Sequence, residues 1–234
     1  MPYTMTHLII AKNIADRYAG QIGSLPQFYL GAIAPDAVHN RAGYITEHKK
    51  ASHLISGDEK WGFTTKNDEW AENISAFLRE HARSKNCDFI RGYCCHALAD
   101  VYNNEHEWTP FRLRYGVHYD DYAKASHVGE ARAGYGKIYN HECNQIDILL
   151  AQTYEGRDDF WLHLANAKSL NLPGIIYADE IEQQRRYILN VWYADKERPD
   201  ISAHTLRTWA GEMAFIKNAT DYVLGVLRGN GGGD

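Results

Sequence analysis

Residues 91–108 read RGYCCHALADVYNNEHEW, and no other stretch limits the fold as strongly. His96 and Asp100 are four residues apart, so on an α-helix they point to the same side, one turn above the other. Tyr93, Cys94, Cys95, Ala97, Leu98, Ala99 and Val101 surround them with apolar or small side chains. That setting predicts a buried helix, and a buried carboxylate needs a partner cation or strong hydrogen bonds. A neutral imidazole nitrogen and a hard anionic oxygen on one face are what a zinc-class ion takes, at about 2.0–2.2 Å. A structural His–Asp hydrogen-bonded pair is the competing reading of the same two residues. His106 follows six positions after Asp100, where the helix is expected to fray toward Pro110.

The helical period recurs along the chain. Residues 4–19 place Met5, Leu8, Ile9, Ala11, Ile14, Ala15 and Tyr18 at helical spacing, with His7 near the start, Thr4 or Thr6 as cap and Gly20 as terminator. Residues 27–34 form a short apolar helix stopped by Pro35, which biases Ala34 away from the α region and leaves Asp36 at a helix end or turn facing a cavity. Residues 46–55 are a short helix in which His48 and His53 lie five apart, so only one of them points inward. Asn67 or Asp68 caps an amphipathic helix through about residue 85, with Trp70, Ile74, Phe77 and Leu78 as its apolar stripe. Further helical patterns cover 119–154, 158–169, 179–196 (capped by Asp179) and 202–227.

No stretch alternates with period two and no hairpin signal separates two strand-like runs, so the expected class is all-α. The expectation is a single-domain multi-helix bundle of about eight helices over residues 1–228, followed by a flexible Gly-rich tail over 229–234. With 234 residues, 44% of them hydrophobic, the chain is long enough to bury a core. The formal charge of −5 argues against a general binder of nucleic acid or anionic membranes. MPYTMTHLIIAKNIAD has no basic region followed by a long apolar run, and no window approaches the ~18 apolar residues of a membrane span. Cys87, Cys94, Cys95 and Cys143 contain an adjacent pair and no C-x-x-C, which speaks against a disulfide framework and a thiolate zinc site and makes the reducing cytoplasm the expected compartment. Twelve histidines are many for this length, and they matter only if several converge.

In a helical bundle, metal sites are built from side chains on facing helices, so dispersed ligands are the expected pattern. THLIIA, FYLGAIAPDAVH, the SHL around His53, and GYCCHALAD closing on HEW together resemble the zinc-dependent phospholipase C family, whose wider fold group includes the fungal single-strand nucleases. The resemblance covers roughly residues 4–150 and implies a bundle of the phospholipase C and nuclease type. It makes His53, His96, Asp100 and Asp36 ligands of one metal and gives Asp36 a second role as base toward the attacking water. It sets His7 at a second metal bridged by Asp100, and His106 at a further one that the family completes with an H-x3-E pair on a later helix. Here the chain departs from the pattern: His141-x3-Gln145 ends in an amide, and Glu142, the remaining candidate, has Ile138 and Ile146 for neighbours on its own face. One or two zinc-class ions are therefore expected rather than three. Tyr102 and Trp108, beside the ligand helix, are candidates for a substrate pocket, and His39, His48, His81, His118, His127, His163 and His204 are read as surface or packing residues.

Such a centre would polarise a phosphoryl oxygen and activate water for attack on phosphorus. The expected function is phosphoric ester hydrolysis on a small phosphate ester or phospholipid headgroup. Two alternatives stand beside it: a metal-binding structural or regulatory protein with a closed coordination shell, and a nucleotide or nucleic-acid phosphodiesterase, for which long nucleic acids suit the acidic balance poorly.

Overall fold

The computed structural model describes residues 2–18, 20–117 and 133–230. These residues contain ten α-helices: α1 Thr4–Arg17, α2 Leu25–Ile33, α3 Thr46–Ser52, α4 Asn67–Glu80, α5 Cys87–Asn103, α6 Thr109–Tyr115, α7 Ala133–Thr153, α8 Arg157–Asn166, α9 Ala178–Tyr187 and α10 Trp209–Asn230. A 3-10 helix, Pro35–Asn40, follows α2, and π-helical turns at Asn104–Trp108 and Ile188–Trp192 extend α5 and α9. Among the described residues there is no strand beyond an isolated bridge between Leu172 and Ile176, so the class is all-α. No described helix is long and apolar enough to cross a membrane.

The central helix is α5, as its composition requires. From Phe89 to Val101 every residue but Arg91 is buried, because α1, α2, α4 and α10 all pack on it. One continuous apolar cluster joins residues of α1, α2, α4, α5, α7, α8, α9 and α10. A smaller aromatic cluster of Trp108, Phe111, Val117, Tyr139 and Cys143 sits beside it. Among the described residues, α2 and α5 approach each other closely. A methyl group at Gly31 would overlap the Phe89 carbonyl, and one at Gly92 would overlap the Phe28 carbonyl, so the two backbones touch through reciprocal glycines.

Several local expectations are corrected. Ala34 stays in the α region (φ −70°, ψ −38°) despite the proline after it. The chain tightens from α into 3-10 geometry there, and Pro35 opens the new helix, where its missing N–H has no partner to lose. The helix does not fray at His106 either: Thr109 N–H bonds back to the Asn104 carbonyl in an i→i−5 turn, and Pro110 enters the first turn of α6. Neither Thr4 nor Thr6 caps α1. Met5 N–H donates instead to Asp147 Oδ1 of α7 at 2.7 Å, and Thr6 donates to Glu212. Asp147 also accepts from Tyr193 and Trp192, and burial pushes its carboxyl up to about 6. At α9 the cap is Glu180, which accepts the Tyr177 N–H, rather than Asp179. Gly229 and Asn230 belong to α10 rather than to a tail, while 231–234, like His118 and His127, lie outside the described residues.

Candidate metal centre

Three chain segments meet on the inner face of α5. His96 and Asp100 project from it one turn apart. Asp36 comes from the 3-10 helix behind α2, which the glycine contact holds against α5. His53 stands just past α3, whose end is fixed by Trp70 Nε1–H donating to the His53 carbonyl (2.6 Å) and by Tyr93 O–H donating to the Ser52 carbonyl. The five-residue offset on α3 separates its histidines as anticipated: His53 is fully buried, while His48 turns back to accept the Ile45 N–H. His7, from α1, completes the group by lying flat on His96, ring centroids 3.6 Å apart.

His96 Nδ1 donates to the Ala32 carbonyl at 2.8 Å, and His53 Nδ1 donates to the Lys49 carbonyl at 2.9 Å. A carbonyl only accepts, so both imidazoles carry their proton on Nδ1, and in the neutral rings Nε2 presents a lone pair. Those lone pairs face carboxylate oxygens: His53 Nε2 is 3.2 Å from Asp100 Oδ2 and 3.5 Å from Asp36 Oδ1, and His96 Nε2 is 3.7 Å from Asp100 Oδ2. His7 Nε2 is 3.6 Å from Asp100 Oδ1. Neither nitrogen of His7, nor Nε2 of His53 or His96, nor Oδ1 of Asp100 has a hydrogen-bond partner, although all are buried. Acceptors pointed at acceptors repel unless a cation stands between them. Two overlapping triads satisfy ligand spacing, Asp36–His53–His96 and His7–His96–Asp100, each with its ligand atoms within 4.8 Å of one another. The donor set is imidazole nitrogen and carboxylate oxygen with carbonyls orienting two of the rings, which fits a zinc-class ion.

Without an ion, a proton is the cation the site can take. Burial works against charge on His53, but the Asp100 and Asp36 carboxylates outweigh it and raise its pKa. Burial and the stacked His96 push His7 down to about 3, and burial lowers His96, so these two rings are neutral. Burial alone would raise Asp36, yet Lys49 and His53 hold it well below the usual carboxylate range; burial would likewise raise Asp100, but His53 and His96 lower it.

The centre is closed on the α5 side and open on the other. Asp100, His53, His96 and His7 are at most 3% exposed, whereas the Asp36 side chain is 30% exposed and lies in the wall of a cleft of about 520 Å³. Tyr3, Tyr44, Trp61, Phe63, Trp108, Tyr187 and Trp192 give the cleft aromatic walls, and His39 and Lys49 join Asp36 at its polar end.

Trp108 thus lines the cleft, its Nε1–H tied to the Gly62 carbonyl. Tyr102 does not; it packs on Phe215 and Tyr222. His106 is set apart from the centre, half exposed, with its ring on Tyr102 and Nε2 3.8 Å from Glu105. Glu142 is committed elsewhere: its oxygens accept the N–H groups of Thr205, Leu206 and Arg207 and so anchor the segment before α10. His141 is exposed and Gln145 pairs with His204 at 2.6 Å, so the later helix brings no ligand pair to the cleft. Two residues at the site carried little signal. Lys49 is four before His53 and so shares its side of α3, and His39, read as surface, is three after Asp36 on the 3-10 helix. Burial and Lys49 push His39 down to about 4, leaving it a neutral acceptor. No family model matches the chain, and neither does any curated protein or solved structure.

Proposed function

We propose that this protein is a metal-dependent phosphoric ester hydrolase of the zinc phospholipase C kind, with Asp36, His53, His96 and Asp100 holding one zinc-class ion and His7 with Asp100 facing a second position. The observation that carries this reading is the set of buried, partnerless Nε2 atoms converging on two carboxylates at the end of an open cleft. A closed structural metal site would not leave one ligand in the wall of a cavity. A bound ion would supply Lewis acidity toward a phosphoryl oxygen and lower the pKa of a bound water. The chain's own groups do the rest. Asp36, ionised and partly open to the cleft, orients the attacking water and takes its proton as the new P–O bond forms and the ester oxygen departs. The aromatic walls hold the organic part of the ester and exclude bulk water.

The test is metal content by elemental analysis after purification without added metal, followed by hydrolysis of bis(4-nitrophenyl) phosphate by the same preparation. One or two equivalents of zinc-class metal, with turnover abolished by chelator and restored by zinc, is the expected result. A folded protein with no metal and no zinc-dependent turnover sinks the reading.

The raised His53 pKa gives a pH dependence with a definite sign. A proton on His53 stabilises the metal-free fold below the ordinary histidine pKa, and that contribution is lost as pH rises through the raised value. Zinc must displace this proton, so its affinity is expected to climb by up to ~10-fold per pH unit while His53 remains protonated, then level off. Calorimetric titration in buffers of different ionisation enthalpy counts the protons released. Zinc binding with no proton release and no pH dependence between about 6 and 8 would contradict the assignment of His53 as ligand.

A further inference from the structure

We propose that Lys49 is the anion-binding group of the cleft, holding a phosphoryl oxygen of a monoanionic phosphate ester next to the metal position. The inference rests on the metal-centre reading above. Lys49 Nζ lies 2.9 Å from Asp36 Oδ1, 3.0 Å from His39 Nε2 and 4.7 Å from the centre of the Trp61 ring. Its stem is buried in α3 and its head stands where the centre opens to the cleft; among the described lining residues it is the one lysine or arginine. The ammonium carries three donors, of which Asp36 and His39 take two, and the Trp61 face favours the cation without using a donor.

Charge accounting separates a binding role from a merely balancing one. Asp36 and Asp100, balanced by Lys49 and by the proton that His53 holds without metal, leave the metal-free centre with no net charge to draw an anion. A divalent ion neutralises both carboxylates by itself. The lysine charge is then surplus, and the loaded centre carries one net positive charge directed at the cleft. That suits a phosphodiester, or a monoester with one proton, and places a fixed donor where charge builds on the phosphoryl oxygens during attack. No third metal is needed for that task, in keeping with the positions of His106 and Glu142 away from the cleft.

Inorganic phosphate is the probe, titrated calorimetrically into the full chain at saturating zinc, with metal content measured on each sample. Lys49→Met is expected to keep its zinc and weaken phosphate binding by roughly ten- to a hundredfold, because one charge-assisted donor is gone and the loaded centre becomes neutral. Lys49→Arg should recover part of the loss. Lys50→Met removes the same charge one residue along, where the ammonium reaches the Gly57 carbonyl, and should bind phosphate like the parent. Equal phosphate affinity in the parent and zinc-loaded Lys49→Met overturns the proposal and leaves the metal centre standing. Loss of zinc in both Lys49→Met and Lys49→Arg also overturns it, since Lys49 would then serve Asp36 and not the anion. A parent chain that holds no zinc and binds no phosphate overturns both readings, and the metal measurement shows that the first one failed.

Discussion

Asp100→Asn is expected to cut the thermal stabilisation that zinc gives the parent chain to about a third or less, and to abolish phosphodiester turnover. Among the described residues Asp100 is the one carboxylate within 4 Å of all three inner histidines, His7 through Oδ1 and His53 and His96 through Oδ2. Asparagine keeps the size but offers one neutral oxygen and an NH2 donor, so it can neither bridge two positions nor supply charge. Apparent zinc free energies of about 10–16 kcal/mol, shared among four ligands, allot roughly 3 kcal/mol or more to an anionic one, hence at least ~100-fold in affinity. For the parent, zinc at a thousand times its Kd adds about 4 kcal/mol, which for a domain of this size is a rise in Tm of roughly 10 °C. The measurement is a pair of melting curves per protein, with zinc and with chelator. A zinc-dependent rise in Asp100→Asn equal to that of the parent would show that the ion, if any, binds elsewhere.

The helical architecture was legible in the sequence because periodicity reports burial directly. The unbroken apolar surround of His96 and Asp100 could belong only to a central helix, and α5 is one. Spacing on a single helix was legible for the same reason: four residues put His96 and Asp100 together, and five put His48 and His53 on different sides. Contacts between segments were not legible at this level. Nothing local to Glu142 announces that three N–H groups some sixty residues away will claim its carboxylate. Nothing near Thr4 announces that Asp147 will cap its helix. The π-helical turn was hidden too, since an i→i−5 bond has no compositional signature, and it is this turn that carries the chain through Pro110 without a break. Lys49 was passed over because a lysine on a short helix most often reaches solvent; only the meeting of α3 with the 3-10 helix turns its head toward Asp36.

The glycine contact between α2 and α5 makes the second large prediction, and it ties stability to the site. Gly92→Ala is expected to lower Tm by roughly 4–8 °C or more and to weaken zinc binding at least tenfold. In an open helix the same change would stabilise by about 1 kcal/mol through propensity alone. At Gly92 the added methyl meets the Phe28 carbonyl and the Ala32 nitrogen, both backbone of α2, so no rotamer change relieves the overlap and the two helices must move apart. Overpacking of this sort costs about 1–3 kcal/mol and more where the obstacle is rigid, which exceeds the propensity gain. The displaced helix is the one whose Ala32 carbonyl orients His96 and whose end carries the 3-10 turn with Asp36, so the ligand set loosens with it. Gly225→Ala supplies the internal standard: Gly225 lies in α10 with nothing within 4 Å of the added methyl, and that variant should melt slightly higher with unchanged zinc affinity. If Gly92→Ala matched Gly225→Ala in both melting and zinc titration, the close approach of α2 and α5 could not be what holds Asp36 against the face of His96 and Asp100.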